Sequence, residues 1–330
     1  MSKTASPLDV LTVGEAMALF VANTPGPLAG VDQFSRTLAG AELNVAIGLR
    51  RLGWRVGYVS RVGRDMLGEF LLSALAQEGL DLRHVQADSL HPTGLMFKSR
   101  ETSGQDPQTQ YFRKGSAASH MGPGDLPSNA FDGIRQLHIT GVSVALSDSV
   151  RELVQHMVSR ARSAGAHISF DPNLRPQLWS SESFMVNTLN AFAAQSDLVM
   201  PGWVEGQLLS GQRSPHDIAS YYLDQGATQV VIKLGPTGAY IASQKERGVV
   251  SGFRVPRVVD TVGAGDGFAV GVISALMDGL SLQEAAVRGN AIGSRVVQFP
   301  GDSDGLPNQQ ELAVALSGER MNVAETPQSH

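Results

Sequence analysis

The sequence predicts an α/β fold, a three-layer α/β/α sandwich around a mostly parallel sheet, because strand-like and helix-like patterns alternate along it. The clearest helical pattern is an apolar stripe over residues 150–161, which ends at Gly165. An apolar run at residues 167–170 follows it directly. Short apolar runs at residues 197–201 and 229–234 repeat this pattern, which is typical of strands buried on both faces.

The remaining regular elements follow from the same two periodicities. Residues 8–17 predict a first strand, and residues 39–53 predict an amphipathic helix that ends at Gly53. Toward the other end of the chain, residues 267–277 and 282–297 predict two further helices.

Two segments interrupt the alternation. Residues 25–37 and 93–119 are extended and rich in turn-forming residues, which favours a small β element inserted into the larger body, with plain surface loops as the alternative. Residues 318–330 are polar and aperiodic, so we expect a flexible tail there and one domain over residues 8–317.

Composition narrows the possible functions. The chain has 330 residues with 26 basic and 31 acidic side chains, and its net charge of −5 offers no basic footprint for nucleic acid. No apolar run has the length of a membrane span, and residues 1–7 lack the apolar core of a signal peptide, so we expect no membrane partner and a cytoplasmic location. The absence of cysteine excludes disulfides, thiolate catalysis and cysteine-bound metal. The eight histidines show no metal-ligand spacing, so any metal is expected to be magnesium brought in with a nucleotide.

The most informative stretch is a glycine-rich turn that opens an apolar helix, DTVGAGDGFAVG at residues 260–271. Gly263, Ala264 and Gly265 have so little side-chain bulk that their backbone N–H groups can converge on an anion at the positive end of the helix. A carboxylate beside an anion repels it, but Asp266 fits there if it must take a proton from a hydroxyl that attacks phosphorus. The alternative is an ordinary loop and helix start. The turn therefore predicts phosphoryl transfer, although it matches neither the P-loop nor the dinucleotide-binding spacing.

This turn closely resembles the C-terminal signature of the ribokinase-like (PfkB) sugar kinases. Residues 39–53 resemble the N-terminal signature of the same family, with Gly40 and Asn44 in the characteristic positions. The resemblance extends over residues 10–316 and implies a ribokinase-like fold that binds ATP and Mg²⁺. It also implies that the small β element is a lid over the sugar, with Gly40 and Asn44 among the groups that hold the sugar, and such a lid keeps water from the transferring phosphate.

Three further blocks suggest the acceptor. Residues 111–119 resemble a segment of the family's 2-keto sugar-acid kinases, in which the residues matching Tyr111 and Arg113 contact the sugar acid. The match of residues 171–176 implies that Arg175 lies near the same sugar acid, and Asp302 falls where this subgroup often contacts substrate. An arginine fork pairs with a carboxylate through two hydrogen bonds, whereas a neutral sugar needs no such cation. The alternatives are solvated or surface-paired arginines, a packed tyrosine and a turn aspartate.

The resemblance also implies nucleotide contacts. Asn173 matches a position near nucleotide phosphate, and Asn290 matches one near the adenine. Residues 233–238 resemble the nucleotide loop through Lys233, Gly235 and Gly238, with a plain β-turn as the alternative. Asn290 could equally be a polar residue on a helix. Many members carry Asn-x-x-Glu where this chain has Gly-Trp-Val-Glu at residues 202–205. Glu205 is retained, so we expect it to act on magnesium indirectly, through water.

The expected reaction is ATP-dependent phosphorylation of the terminal hydroxyl of 2-keto-3-deoxygluconate or 2-ketogluconate. The alternatives are a neutral-sugar kinase of the fructokinase or ribokinase type and a non-catalytic sugar or nucleotide sensor. A dinucleotide-dependent dehydrogenase is disfavoured because no G-x-G-x-x-G follows the first strand. We also expect a homo-oligomer formed through the lid, since exposed sheet edges invite partners.

Overall fold

The computed structural model describes residues 7–100 and 107–321 of the chain. Thirteen strands lie in this part: β1 Val10–Val13, β2 Met17–Pro25, β3 Phe34–Ala39, β4 Val56–Gly63, β5 Val85–Asp88, β6 Leu95–Arg100, β7 Thr109–Phe112, β8 Gln136–Thr140, β9 His167–Asp171, β10 Leu198–Val199, β11 Gln229–Lys233, β12 Gly238–Ser243 and β13 Arg247–Ser251.

Ten α-helices lie in the same described part: α1 Ala41–Arg51, α2 Met66–Gln77, α3 Gly141–Leu146, α4 Asp148–Ala164, α5 Glu182–Ala193, α6 Trp203–Ser210, α7 Pro215–Asp224, α8 Ala264–Met277, α9 Leu282–Val296 and α10 Gln309–Leu316. None of these described helices is both long enough and apolar enough to cross a lipid bilayer. The predicted apolar stripe lies on the buried face of α4, and Gly165 ends this helix in the left-handed conformation at φ +71°.

Nine strands form the central sheet, in the order β13-β12-β11-β10-β9-β8-β1-β4-β5. Neighbouring strands are parallel from β11 through to β5, and β12 and β13 add an antiparallel edge. Helices cover both faces of the sheet, and side chains of one strand pack into two different apolar cores. On β1, Val10 packs into one core, whereas Leu11 and Val13 pack into the other. The predicted three-layer sandwich is therefore confirmed.

A second sheet of four strands, in the order β3-β2-β6-β7, lies apart from the central sheet. Its inner face carries Met17, Leu19 and Met96 in a small apolar cluster of their own. The sheet takes in the whole of β2, which precedes the predicted segment at residues 25–37, and its last strand ends at Phe112 rather than at Ser119.

The first predicted strand, residues 8–17, is wrong as a single element. β1 ends at Val13 in the central sheet, and β2 begins at Met17 in the second sheet. Every residue from Leu8 to Leu19 is buried, including Gly14 and Glu15 between the two strands, so no exposed turn marks this change of sheet.

The end of the chain also differs from its prediction. Within the predicted tail, Arg320 forms an antiparallel bridge with Phe253, and the N–H of Met321 donates to the carbonyl of Gly252 at 2.9 Å. Residues 318–321 are thus fixed against the segment after β13, which corrects the prediction for these four residues. The rest of the predicted tail, residues 322–330, lies outside the described residues.

Candidate active site

The glycine turn lies at the start of α8, as predicted. Gly263 is the residue before the helix and has φ +83°, a conformation that side chains with a Cβ rarely adopt. A Cβ at this position would also lie only 2.3 Å from the carbonyl oxygen of Asp302. The N–H of Ala264 donates to the carbonyl of Thr261 at 3.3 Å. The N–H groups of Gly265 and Asp266 have no hydrogen-bond partner among the described residues. The structure thus leaves two N–H donors of the first helical turn for an anion.

Asp266 is buried, with 8% of its surface exposed, and two asparagines hold its carboxylate. The Nδ2 of Asn44 donates to Oδ2 at 2.8 Å, and the Nδ2 of Asn173 donates to Oδ1 at 3.3 Å. Asn44 belongs to α1 and lies 222 residues away along the chain, so the fold brings the two resembling signatures together at one carboxylate. The backbone of Asn173 has φ +39°, which asparagine tolerates better than most residues.

Burial raises the pKa of Asp266 to about 7, because the buried site disfavours its ionised form. The hydrogen bond from Asn44 opposes this shift, and the nearby charge of Asp171 adds to it. A carboxylate with a pKa near neutrality can both accept and release a proton at physiological pH, which is what a general base requires.

As the general base that the sequence predicts, Asp266 should make kcat/KM for the phosphate acceptor fall on acidification with a midpoint near pH 7, because only its ionised form can accept a proton. A profile from about pH 5 to about pH 9 with saturating ATP measures this midpoint. In Asn44→Leu the midpoint should move to higher pH, since the lost hydrogen bond favours the ionised form. A flat profile across neutrality would contradict this role for Asp266.

An ion pair with one buried and one partly buried partner lies beside this carboxylate. The Nζ of Lys233 contacts Oδ2 of Asp171 at 2.7 Å, and these residues end β11 and β9. Burial alone would lower the pKa of Lys233, but the negative charges of Asp171 and Glu205 raise this pKa above its ordinary value. Lys233 is one of the residues predicted at the nucleotide, whereas the sequence analysis assigns no role to Asp171. Asp171 lies at the carboxyl end of a parallel strand, the edge at which open α/β sheets usually bind their ligands, and this position makes it a candidate site residue.

Glu205 is held in place without the asparagine that many family members carry. Its Oε2 accepts the N–H of Gly202 at 2.7 Å, and its Oε1 accepts the N–H of Leu174 at 2.7 Å. Each oxygen keeps a lone pair that a water molecule can use, so the carboxylate fits an indirect role at a hydrated metal ion. In residues 7–100 and 107–321, no group of three or more acidic or histidine side chains could hold a metal ion.

Two cavities meet at the glycine turn. The first, which we call the Asp266 cavity, has a volume of about 460 Å³ and reaches from α8 to the inner face of the second sheet at Met17 and Met96. All six residues predicted to bind substrate line it: Gly40, Asn44, Tyr111, Arg113, Arg175 and Asp302. Asn173 and Glu205, predicted at the nucleotide, also line this cavity.

The second, which we call the Gly235 cavity, has a volume of about 1140 Å³. The other four residues predicted at the nucleotide line it: Lys233, Gly235, Gly238 and Asn290. Two of these four residues, Asn290 and Gly238, also have a structural role in the fold. Asn290 donates to the carbonyls of Val250 and Ser251 at 3.1 Å, and a Cβ at Gly238 would lie 2.1 Å from the carbonyl oxygen of Val250. Because Lys233, Thr261 and Gly265 line both cavities, a group bound in one can reach a group bound in the other.

The arginines of the Asp266 cavity are not equivalent. An Nη2 of Arg113 pairs with Oε2 of buried Glu15 at 2.7 Å, a partner that the sequence did not reveal. The Nε of Arg113 is buried and has no hydrogen-bond partner among the described residues. Arg175 is partly exposed and donates to the carbonyl of Leu174 at 2.8 Å. Both guanidinium groups thus keep donors for an anionic ligand.

Known proteins resemble this chain over nearly its whole length. Residues 8–309 match the model of the pfkB family carbohydrate kinases. The chain is 51% identical to the 2-dehydro-3-deoxygluconokinase of Bacillus subtilis (strain 168) over 95% of this chain and 97% of that protein.

Two solved structures extend the comparison. A PfkB protein from Polaromonas sp. JS666 is 48% identical, with a TM-score of 0.86 over 93% of this chain and 99% of that one. An E. coli protein assigned as ribokinase II, solved in complex with ATP and Mg²⁺, is 28% identical, with a TM-score of 0.87 over 94% of this chain and 99% of that one. The family match, the fold and the paired cavities at a glycine turn lead to one conclusion: the chain belongs to the pfkB family of carbohydrate kinases.

Proposed function

We propose that the chain transfers the γ-phosphoryl group of ATP to the terminal hydroxyl of a 2-keto sugar acid, with 2-keto-3-deoxygluconate as the preferred acceptor. The observation that carries this proposal is the position of Asp266, a buried carboxylate with a pKa of about 7 that lines the Asp266 cavity next to Gly265, which lines both cavities. The similarity to a 2-dehydro-3-deoxygluconokinase supports the choice of acceptor, since that name denotes the same keto acid.

The chain's own groups supply the proton transfer. Asp266 takes the proton of the acceptor hydroxyl as its oxygen bonds to phosphorus, the bond to the departing ADP breaks, and the carboxylic acid then releases its proton to solvent. The N–H groups of the first turn of α8, together with Lys233, stabilise the charge on the transferring group. The buried Oδ1 of Asn44 has no partner among the described residues, so it can accept from a sugar hydroxyl and orient it.

We propose ATP and Mg²⁺ as the required pair. A related structure holds both, and the Gly235 cavity has ample volume for a nucleotide. Bound magnesium would neutralise phosphate charge, and Glu205 would hold its water shell. We further propose that the enzyme works in the cytoplasm, where ATP is available. Recovery of the activity in the envelope fraction of disrupted cells would contradict this location.

The anionic acceptor follows from the charges around the Asp266 cavity. Arg113 and Arg175 both line this cavity, and the ring of Tyr111 lies 5.8 Å from the guanidinium carbon of Arg113. Two guanidinium groups suit a substrate carboxylate, and the phenol ring suits a carbon chain with a hydroxyl. Arg113 already has Glu15 as a partner, but Arg175 has no carboxylate partner among the described residues and would keep none with a neutral sugar, so the neutral-sugar alternative is not favoured.

ADP release with ATP and magnesium, measured for five acceptors in parallel, tests this proposal. The acceptors are 2-keto-3-deoxygluconate, 2-ketogluconate, gluconate, fructose and ribose. We expect the highest kcat/KM for 2-keto-3-deoxygluconate and the next highest for 2-ketogluconate. Turnover of neutral sugars alone would support a kinase but contradict a sugar acid as its acceptor. Turnover of none of the five would favour a non-catalytic sensor.

We expect Arg175→Gln to raise KM for the keto acid by about 10- to 100-fold and to leave KM for ATP close to that of the unmodified enzyme. This range corresponds to the loss of one hydrogen bond to a charged group, about 1.5–3 kcal/mol. Arg175 is a better target than Arg113, whose removal would leave buried Glu15 without its partner. The exposed Arg64, changed to glutamine, is the control. Equal changes in both KM values would contradict a contact with the acceptor.

We also propose a homo-oligomer that forms through the outer face of the second sheet. Phe97 lies there with Phe20 at 5.2 Å, Phe34 at 5.1 Å and Phe112 at 6.0 Å between ring centroids. Phe112 remains 52% exposed, and a contiguous apolar patch of this kind marks an interaction surface. Analytical ultracentrifugation at assay concentration should therefore show an oligomer that Phe112→Ser weakens. A monomer at that concentration would contradict the proposal.

A further inference from the structure

A lysine is buried between the second sheet and the glycine turn. Lys98 lies on β6, and its side chain is only 1% exposed. Its Nζ contacts Oδ2 of Asp260 at 2.7 Å and Oδ1 of Asp302 at 2.6 Å, and both carboxylates are buried as well. The sequence-based expectations included Asp302 as a substrate contact but no role for Lys98.

Burying these three charged groups costs free energy unless each charge lies close to an opposite one. Removing an ammonium ion from water costs several kcal/mol, and two buried carboxylates without a cation between them would repel each other. Burial alone would lower the pKa of Lys98, but Asp302 and Asp260 raise it above its ordinary value. The lysine is therefore charged at neutral pH, and its ammonium group holds the two carboxylates together.

Both carboxylates belong to the segments that enclose Gly263. Oδ1 of Asp260 accepts the N–H of Val262 at 3.0 Å, which sets the turn just before Gly263. The carbonyl oxygen of Asp302 lies so close to Gly263 that a Cβ there would be 2.3 Å away. The ammonium of Lys98 consequently fixes both sides of the turn that presents the N–H groups of α8.

The strand that carries Lys98 also lines the Asp266 cavity. Met96 lines that cavity, and Lys98 follows two residues later on β6, so the two side chains share one face of the strand. The Lys98 ammonium therefore links the strand that lines the Asp266 cavity to the glycine turn.

We propose that Lys98 is a positioning residue that couples the second sheet to the glycine turn and so aligns the phosphate-binding N–H groups for transfer. It touches neither of the reacting groups and acts through Asp260 and Asp302. The inference rests on the proposed kinase function, and turnover of the unmodified enzyme in the same assay tests that function separately.

Lys98→Met is the direct test, because methionine reproduces the side chain up to the position of Cε and leaves only the place of the ammonium empty. We expect kcat to fall by about 100-fold, the effect of misplacing a reacting group by roughly 1 Å, with a smaller change in either KM. We further expect ammonium chloride to restore part of kcat, since a cavity of about 500 Å³ reaches Lys98 and Asp260. Tetramethylammonium chloride, whose cation is too bulky for the vacated place, controls for ionic strength. Lys245→Met removes an exposed lysine and is the matched control.

Three results would overturn the proposal. The first is a kcat of Lys98→Met within twofold of that of the unmodified enzyme, and the second is a loss of kcat that ammonium does not restore although the protein is folded. The third is a loss of activity that is fully explained by the fraction of protein that is unfolded. If Lys98→Met does not fold, the double variant Lys98→Gln, Asp260→Asn replaces it. Its net local charge equals that of the unmodified site, and its amide hydrogen bonds are about half as strong as the charged ones. The proposal then expects a reduced kcat at an unchanged melting temperature, and an unchanged kcat would overturn it.

Discussion

Asp266→Asn is expected to lower kcat by about 10²- to 10⁴-fold, the range that a positioned general base contributes. Asparagine has nearly the same shape and can still accept a hydrogen bond from Asn44, but it cannot take the proton of the acceptor hydroxyl. ATP affinity, measured by calorimetry, should be preserved, because the N–H groups of α8 and Lys233 remain. Asp132→Asn changes an exposed aspartate and serves as the control. Turnover near that of the unmodified enzyme would refute the role of Asp266 as base.

The same variant should be more stable than the unmodified protein at alkaline pH. Burial raises the pKa of Asp266 from 3.8 to about 7, so its contribution to stability is full below about pH 4 and is lost as the pH rises through 7. Three pKa units correspond to at most about 4 kcal/mol. Melting temperatures at pH 8 should therefore be higher for Asp266→Asn, and the difference should shrink toward pH 4. A variant less stable than the unmodified protein at pH 8 would show that the carboxylate is structural.

Gly263→Ala is expected to lower kcat by about 100-fold or more and to destabilise the fold. Two effects combine at this position, since φ is +83° and a Cβ would lie 2.3 Å from the carbonyl oxygen of Asp302. The left-handed conformation alone costs about 1–2 kcal/mol for a residue with a Cβ. The clash with backbone must further displace the turn, and a displacement of about 1 Å at a reacting group costs roughly 10²-fold in rate.

Gly279→Ala separates these two effects. Gly279 has φ +82°, nearly the same as Gly263, but a Cβ there would meet no atom within 4 Å. We expect this control to lose about 1–2 kcal/mol of unfolding free energy in urea and to keep its kcat. If both variants lose stability equally and keep their turnover, the geometry of the turn does not matter for catalysis.

Local sequence patterns predicted most of the fold and many of the site residues. The small residues at 263–265 predicted a turn into a helix, and the stripe at residues 150–161 predicted α4. Each of these signals is local, because it depends only on residues that are close together in the sequence. Resemblance supplied Asn44 and Arg175, which composition and periodicity alone would not have singled out. The structure places these residues around one cavity with Asp266.

The sequence failed where partners are distant or where burial hides the pattern. Lys98 meets Asp260 and Asp302 across 162 and 204 residues, and a lysine in a strand is ordinarily expected to face solvent. Glu15 as the partner of Arg113 was hidden for the same reason. The change of sheet between β1 and β2 was also missed, because the short connection between the two strands is buried rather than an exposed turn.

Phosphorus-31 NMR of the reaction mixture tests the central claim most directly. Enzyme, ATP, magnesium and 2-keto-3-deoxygluconate should give ADP and one new phosphomonoester signal in equal amounts. The proton-coupled signal should be a triplet, because a phosphate on a terminal hydroxyl couples to the two protons of its methylene carbon. A doublet would place the phosphate on a secondary hydroxyl, whereas inorganic phosphate or unchanged ATP would show that the chain does not phosphorylate this acid.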